Sequence, residues 1–453
     1  MSNTATSTAS APSRARGKST HRGDLFGAAC GIGLGLVVGA SIVTTKSMWP
    51  SPGGFWMSMG TLTAMAGTYL CLVLLLLISR LPWLEREMGH DRMVLWHRTV
   101  APFSLILILS HVVLTTLGFA QSAGINLWAQ FISILTTYPW MIPALVGFLL
   151  MMGLGVMSYR KIRQRMKYET WWAAHLYFYL AVVLAFGHQL ETGQVMTQHP
   201  WVRYSWIAMY IGVFGAIIWS RIIVPIRSSL RHGLRVSKIV PESNGMVSVY
   251  ISGKDLGALQ ARGGQFFQWR FMTRHWWWQA HPYSLSASPN GDWLRITVKD
   301  LGDHSGGLAN ELSVGTRVIA EGPYGVFTAA NRSTESVVCV AAGVGITPIR
   351  AMIEDLPAAT DVTLLYRVTD MTTVPLRTEL EEVAARSGWK LWYLPGSRAD
   401  HPMTVNYLSQ FAPNIASSDV YVCGPDAFTN GVLSAARSAG VPEARIHHES
   451  FAF

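Results

Sequence analysis

Charge is scarce in this chain. Asp, Glu, Lys and Arg make up 14% of 453 residues, while 50% are hydrophobic; average soluble proteins carry about 25% charged residues. The deficit lies before about residue 225, where long apolar runs alternate with short basic loops. The first half therefore reads as membrane and the second as soluble. Cysteine is scarcer still. Cys30, Cys71, Cys339 and Cys423 stand far apart with no CxxC pair, so neither a four-cysteine iron–sulfur site nor a disulfide scaffold is expected. Cys30 and Cys71 lie in apolar runs and read as packing residues. The net charge is +10. Because the cations sit in loops between apolar segments, a lipid surface explains them better than nucleic acid does.

Residues 1–23 are rich in Ser, Thr and Ala and end in Arg14, Arg16, Lys18 and Arg22; they cannot bury a core and are expected to be a disordered tail. The apolar run over 25–43 is long enough to cross a bilayer and carries no convincing cleavage site, so it reads as an uncleaved first helix. Six spans are expected, over about 25–44, 56–79, 97–119, 139–158, 171–190 and 204–225. One set of loops is basic: Arg80, Arg86, Arg92 and Arg98; Arg160, Lys161, Arg163, Arg165 and Lys167; Arg221, Arg227, Arg231 and Arg235. The opposite set offers Lys46 and Arg203, and the loop 120–138 has no Lys or Arg. The positive-inside rule then places both termini and the soluble half in the cytoplasm, in an integral protein of a bacterial-type cell membrane. Gly31, Gly33, Gly35 and Gly39 lie inside an apolar span, so they read as helix-packing residues rather than a dinucleotide loop.

Strand-like alternation over 246–252 and 293–299 suits an antiparallel β-barrel. After residue 335, strands over 337–341, 362–366 and 420–423 alternate with helices from Pro348 and over 376–386, a doubly wound α/β pattern. The expected organisation is a tail (1–23), a six-helix transmembrane bundle (24–228), a barrel (232–330) and an α/β unit (335–453).

His97 and His111 fall in the third span, His175 and His188 in the fifth. Ionisable side chains inside a bilayer are costly and usually face a partner or cofactor. One buried histidine is more often a hydrogen-bonded core residue than a ligand; two on each of two spans form a pattern. The first two are 14 residues apart, which gives about 21 Å of rise and a rotation of only about 40°. The second two are 13 apart, about 19.5 Å in rise but about 140° apart on an ideal helix. A π-bulge or other irregularity is needed to align them. Matching heights pair His97 with His175 on the inner side and His111 with His188 on the outer side. Such pairs suit two stacked haems with both axial positions filled, which favours electron transfer over oxygen activation. No CxxCH motif is present, so the haems are expected to be of b type.

The soluble half carries HPYSLSAS at 281–288, KDLGDHSGGL from Lys299, EGPYG from Glu321, AAGVGITP from Ala341, YVCGP from Tyr421 and a final FAF. In this order they resemble the ferredoxin–NADP reductase superfamily. With the histidine ladder, the chain resembles the ferric reductase and NADPH oxidase family over about residues 24–453. The resemblance implies FAD and NADPH, with NADH possible. In HPYS, Tyr283 would lie on the flavin and Ser284 meet its polar edge; Pro282 lies between them, and His281 stands where soluble reductases commonly carry Arg. Lys299 leads into Gly302, Ser305, Gly306 and Gly307, which would bind the FAD pyrophosphate before a helix near Leu308. Gly322, Pro323 and Gly325 match the turn between the flavin and nucleotide units. Gly343 and Gly345 would admit the dinucleotide pyrophosphate, with Thr347 capping the helix and Pro348 following. Arg367, Ser397 and Arg398 could hold a 2′-phosphate. Cys423, Gly424 and Pro425 match a CGP motif beside the nicotinamide. Phe453 matches a terminal aromatic that stacks on the isoalloxazine, with Phe451 and Glu449 as neighbours; His447 and His448 read as surface residues.

The function so implied is electron transfer from cytoplasmic NAD(P)H through FAD and two b-type haems to an extracytoplasmic acceptor. That acceptor is O2, an Fe(III) chelate, or an extracytoplasmic redox or flavin protein. The alternative is a haem-free membrane transporter or sensor with a regulatory flavin reductase domain, which haem analysis distinguishes. The outer loops, His199 and Lys46 included, form no readable substrate site.

Overall fold

The computed structural model describes residues 21–243, 245–299, 312–397 and 399–449. Where the sequence stays apolar, helices run long: His21–Thr45, Gly54–Leu77 and His90–Ala123 come first. Gly124 ends the third in the left-handed conformation (φ 67°), the usual helix stop. Among the described residues, five helices are long and apolar enough to cross a membrane, or six if a bent pair counts as one span. Ile32, Leu36, Ile106 and Leu149 on these helices are exposed, as expected of surface that faces lipid.

The bent pair departs from the expected fourth span. The stretch read as a loop over 120–138 contains a helix, Leu127–Thr137, started by Asn126, whose side chain accepts from Ala129 N at 2.8 Å. It turns through 118° into Met141–Met157. That second helix has 17 residues, about 25 Å of rise, which is short of a hydrocarbon core about 30 Å thick. The fifth span is in three pieces, Tyr168–His175, Tyr177–Leu184 and Phe186–Glu191. At the first break Tyr179 N bonds to Leu176 O at 3.1 Å, a tighter i→i+3 turn. A π-helical turn does occur, but in the sixth span, at Trp219–Ile223 between Pro200–Ile218 and Val224–His232.

The second and third spans approach closely because Gly60 and Gly67 carry no side chain: a Cβ there would strike Thr115, or Leu107 and Ile108. In the first span Gly33 packs on Tyr69, whereas Gly31, Gly35 and Gly39 face open space. The small-residue packing expected of all four is found at one.

Past the last span, β1 (Arg235–Pro241), β2 (Met246–Ser252), β3 (Phe266–Phe271), β4 (His281–Ser284), β5 (Trp293–Lys299) and β6 (Val318–Tyr324) form two three-stranded antiparallel sheets, β1-β2-β5 and β4-β3-β6. Ile251, Phe267, Trp269, Phe271, Leu285 and Ile296 form their shared core. Isolated bridges join Leu285 to Ile296 and Arg235 to Arg317. The described pairings are two antiparallel sheets around one core, joined at both edges by these bridges, so the expected antiparallel barrel is found only in part. Two short bridges hold the sheets together without completing a continuous ladder.

The remaining strands are β7 (Ser336–Ala342), β8 (Asp361–Val368), β9 (Lys390–Pro395), β10 (Asp419–Cys423) and β11 (Ile446–Glu449). They form one parallel sheet in the order β11-β10-β7-β8-β9. Val337, Cys339 and Ala341 enter one core while Val338, Val340 and Ala342 enter the other. Burial on both faces explains why β7 is apolar without alternation.

Candidate functional site

The membrane histidines meet in two pairs. The ring centroids of His97 and His175 lie 6.2 Å apart, and those of His111 and His188 lie 6.4 Å apart. The breaks at Leu176 and Ala185 remove the conflict that an unbroken helix imposes on His175 and His188. His97 Nδ1 lies 3.3 Å from Leu74 O, His111 Nδ1 3.0 Å from Gly60 O, and His175 Nδ1 3.3 Å from Ser158 Oγ. An imidazole held at Nδ1 has its orientation and tautomer fixed, with Nε2 left to ligate. Two imidazoles that reach one metal ion from opposite sides, at about 2.0–2.1 Å per nitrogen, have centroids roughly 6 Å apart. Both pairs fit that span. No group of three or more His, Cys, Asp or Glu suited to a metal occurs among the described residues. An ion held by such a pair alone would need further ligands from a prosthetic group or from solvent.

In the parallel sheet, β7 lies between β8 and β10, so the winding reverses there. Open α/β sheets bind ligands in the crevice beyond the carboxyl ends of such strands. The AAGVG turn follows β7 and the CGP turn follows β10. Gly343 has φ 57° and a Cβ on it would meet nothing, so the backbone needs glycine and the space admits a ligand. Gly345 instead packs on the Cys423 carbonyl. Replacing Gly345 by Ala is expected to cost about 1–3 kcal/mol of stability through overpacking, and to weaken NADPH binding at least tenfold in a titration. Thr347 does not cap as expected. It lies within the helix Ile346–Glu354, behind an N-cap at Gly345, and its Oγ1 donates to Val344 O at 2.9 Å. Pro348 is buried in the same helix.

Arg367 lies near the end of β8, opposite Ala342. Beyond β9, the N–H and Oγ of Ser397 both donate to Asp400 Oδ2 at 2.7 Å. These bonds hold the Asp400 carboxyl below its ordinary value. The sequence reading missed Asp400; it puts a negative charge where a 2′-phosphate was expected.

Strand β4 is the edge of its sheet, which leaves its outer backbone edge accessible to a ligand. His281 and Tyr283, two apart and so on one face, have ring planes 17° apart with centroids at 6.0 Å. Burial pushes the Tyr283 phenol up to about 12. Pro282 and Ser284 alternate to the other face, and Ser284 is buried. Gln265 Nε2 donates to Gly325 O at 3.1 Å, and the Glu449 carboxylate lies beside Gly325. Glu449 pairs with Cys423 across β10 and β11. Burial, then Glu449, push the Cys423 thiol well above its ordinary value, which keeps this fully buried side chain a neutral thiol.

Three family models match in order along the chain: a ferric reductase like transmembrane component over residues 63–186, an FAD-binding domain over 232–328 and an oxidoreductase NAD-binding domain over 339–433. The chain has the domain order of the ferric reductase and NADPH oxidase family. It is similar to a flavohemoprotein of Vibrio cholerae, 30% identical over 224 residues that cover 47% of this chain and 54% of that protein. It is also similar to the ferredoxin reductase component of 3-ketosteroid-9-alpha-monooxygenase of Mycolicibacterium smegmatis, 30% identical over 229 residues, 48% of this chain and 65% of that one. A solved FAD/NAD-binding domain of nitric oxide dioxygenase from Vibrio cholerae is 25% identical with a TM-score of 0.41, and covers 48% of this chain and 98% of that chain. The chain spans about half the length of the first curated relatives it matches.

Within this family framework, several expected site residues lie outside the described residues: Gly302, Ser305, Gly306, Gly307, Arg398, Phe451 and Phe453, as does the tail through residue 20. Lys299 ends β5 opposite Met246. His447 is not a surface residue. Its Nε2 is 2.8 Å from Asp419 Oδ1, and its ring stacks on Tyr421 with centroids 4.2 Å apart. The polar run IHHE looked exposed, but pairing of β11 with β10 buries His447 and leaves His448 half-buried. The supports of the membrane pairs, Gly60, Leu74 and Ser158, were also unread. Two of them act through backbone carbonyls, which carry no side-chain signal.

Proposed function

We propose that this protein carries electrons from cytoplasmic NAD(P)H through FAD and two b-type haems to an acceptor on the other side of the membrane. The units are a haem-binding membrane part (24–228), an FAD-binding unit (232–330) and a nucleotide-binding unit (335–453). The observation that carries the reading is the pair of histidine pairs, at 6.2 and 6.4 Å, in a membrane part fused to FAD- and NAD-binding modules.

His97 with His175, and His111 with His188, would hold the two haem irons, which would supply single-electron transfer there. His281 and Tyr283 offer ring faces to the flavin. Gly343 and the helix start at Ile346 offer backbone approach and N–H groups to the dinucleotide pyrophosphate. Cys423 and Glu449 border the nicotinamide end. Arg367 favours a 2′-phosphate while Asp400 opposes one, so both NADPH and NADH fit. FAD, when bound, supplies the exchange between a hydride and the single electrons that haem iron accepts.

Purified protein is expected to show a bis-imidazole b-type spectrum with two haems per chain, reduced anaerobically by NADPH. A stable haem-free preparation, whether or not it reduces flavin, would favour the transporter or sensor reading. Rates with O2, Fe(III)-citrate and extracytoplasmic redox proteins in liposomes would then identify the acceptor. Deleting Phe453 is expected to change the NADPH Michaelis constant by up to about tenfold, as loss of an aromatic stack would; unchanged kinetics would exclude stacking.

A further inference from the structure

Two unusual backbone features converge on one carboxylate at the junction of membrane helices and flavin sheet. Arg80, just past the second span, has a left-handed backbone (φ 57°), which L-residues avoid. Arg221 lies in the π-helical turn Trp219–Ile223 of the sixth span, a rare conformation frequent at functional sites. The guanidinium groups of both reach Glu321 Oε1, at 3.7 Å from Arg80 and 3.4 Å from Arg221. Tyr324 donates to the same oxygen at 2.9 Å, and Arg80 lies over the Tyr324 ring at 5.2 Å. The residues before each arginine are joined as well, Ser220 Oγ donating to Ser79 O. Glu321 is only 12% exposed, so this is not a solvent-screened surface pair.

Its place matters more than its strength. Leu74, whose carbonyl meets His97, lies on the second span six residues before Arg80. In the other direction, Glu321 pairs with Gln268 on β3, and the neighbouring Phe267 pairs with Tyr283 on the proposed flavin strand. Gly325, four residues on, borders Glu449. The clamp therefore stands between the inner histidine pair and the flavin strand.

We propose that Glu321 is a positioning residue: held by Arg80, Arg221 and Tyr324, it seats the flavin sheet on the membrane helices and so sets the rate of electron delivery to the inner histidine pair. The inference rests on the function proposed above. Each hydride brings two electrons to the flavin site; they leave singly across this junction, and a proton remains to be released on the cytoplasmic side. The clamp touches no reacting atom, so it governs the second event and not the first.

The test uses full-length, haem-loaded protein in nanodiscs, comparing wild type with Glu321→Gln and, should that variant fold poorly, Arg221→Gln. NADPH-driven reduction of ferricyanide, taken from the flavin, is expected to stay within twofold. Anaerobic haem reduction by NADPH is expected to slow at least tenfold. Hydrogen exchange over 79–88 and 219–223 is expected to accelerate at least tenfold, a readout independent of turnover. Glu321→Asp is expected to restore part of the haem reduction rate. Unchanged haem reduction and exchange in the folded variants would overturn the clamp. If wild-type protein is never reduced at haem by NADPH, the functional reading fails instead, while exchange still reports whether the clamp exists.

Discussion

Replacing His188 by alanine is expected to remove one haem per chain and to abolish delivery to any external acceptor, while NADPH still reduces the flavin. His111→Ala should do the same. The two rings face each other at 6.4 Å, and no third His, Cys, Asp or Glu completes a metal-binding group among the described residues. An iron centre there would depend on both imidazoles. Mutating groups that merely orient a ligand typically costs about 10–100-fold in metal affinity; losing the ligand itself should exceed that. The inner pair has its own supports at Leu74 and Ser158, so one haem should persist in each variant. Haem content per chain, measured beside anaerobic flavin bleaching, checks both halves. Two haems retained in both variants would rule out the pairing.

Asp419→Asn is expected to destabilise the nucleotide-binding unit by about 3–5 kcal/mol, the cost of removing one partner from a buried pair. Asp419 is fully buried. It accepts from Ser333 N at 2.8 Å, Thr334 N at 2.7 Å and His447 Nε2 at 2.8 Å. Burial by itself raises its titration, but His447 and the Ser333 and Thr334 donors outweigh burial and hold the carboxyl well below its ordinary value. The folded value is thus below the unfolded one, near 3.9. The stabilisation is fully present above about pH 5 and is lost as pH falls through the folded value. The gap in unfolding free energy between wild type and variant should therefore be full at neutral pH and shrink below about pH 4. A gap that widened on acidification would contradict the assigned direction. Because His447 lies on β11, the variant should also loosen the strand that carries Glu449.

Much of this architecture is legible from particular residues. Uninterrupted apolar runs mark the membrane part because lipid imposes length and hydrophobicity on each crossing. His97 and His111 could be placed on one face because 14 residues nearly complete whole helical turns. The glycines after β7 and the CGP after β10 could be read because local backbone demands are written in local sequence. Other features were misread for equally local reasons. The helix Leu127–Thr137 looked like a loop because it lacks charge and precedes a short span, and IHHE looked exposed because its burying partner, β10, ends 23 residues earlier.

The sequence by itself determined the membrane-to-soluble order, the four candidate ligands and the turns of the nucleotide crevice, because each depends on residues near one another along the chain. Only the tertiary structure decided how His175 and His188 both reach partners, through breaks at Leu176 and Ala185. Likewise, only it showed that Glu321 gathers Arg80 and Arg221 from positions 241 and 100 residues away. Such pairings depend on how helices and sheets pack, and no periodicity within either segment records the other.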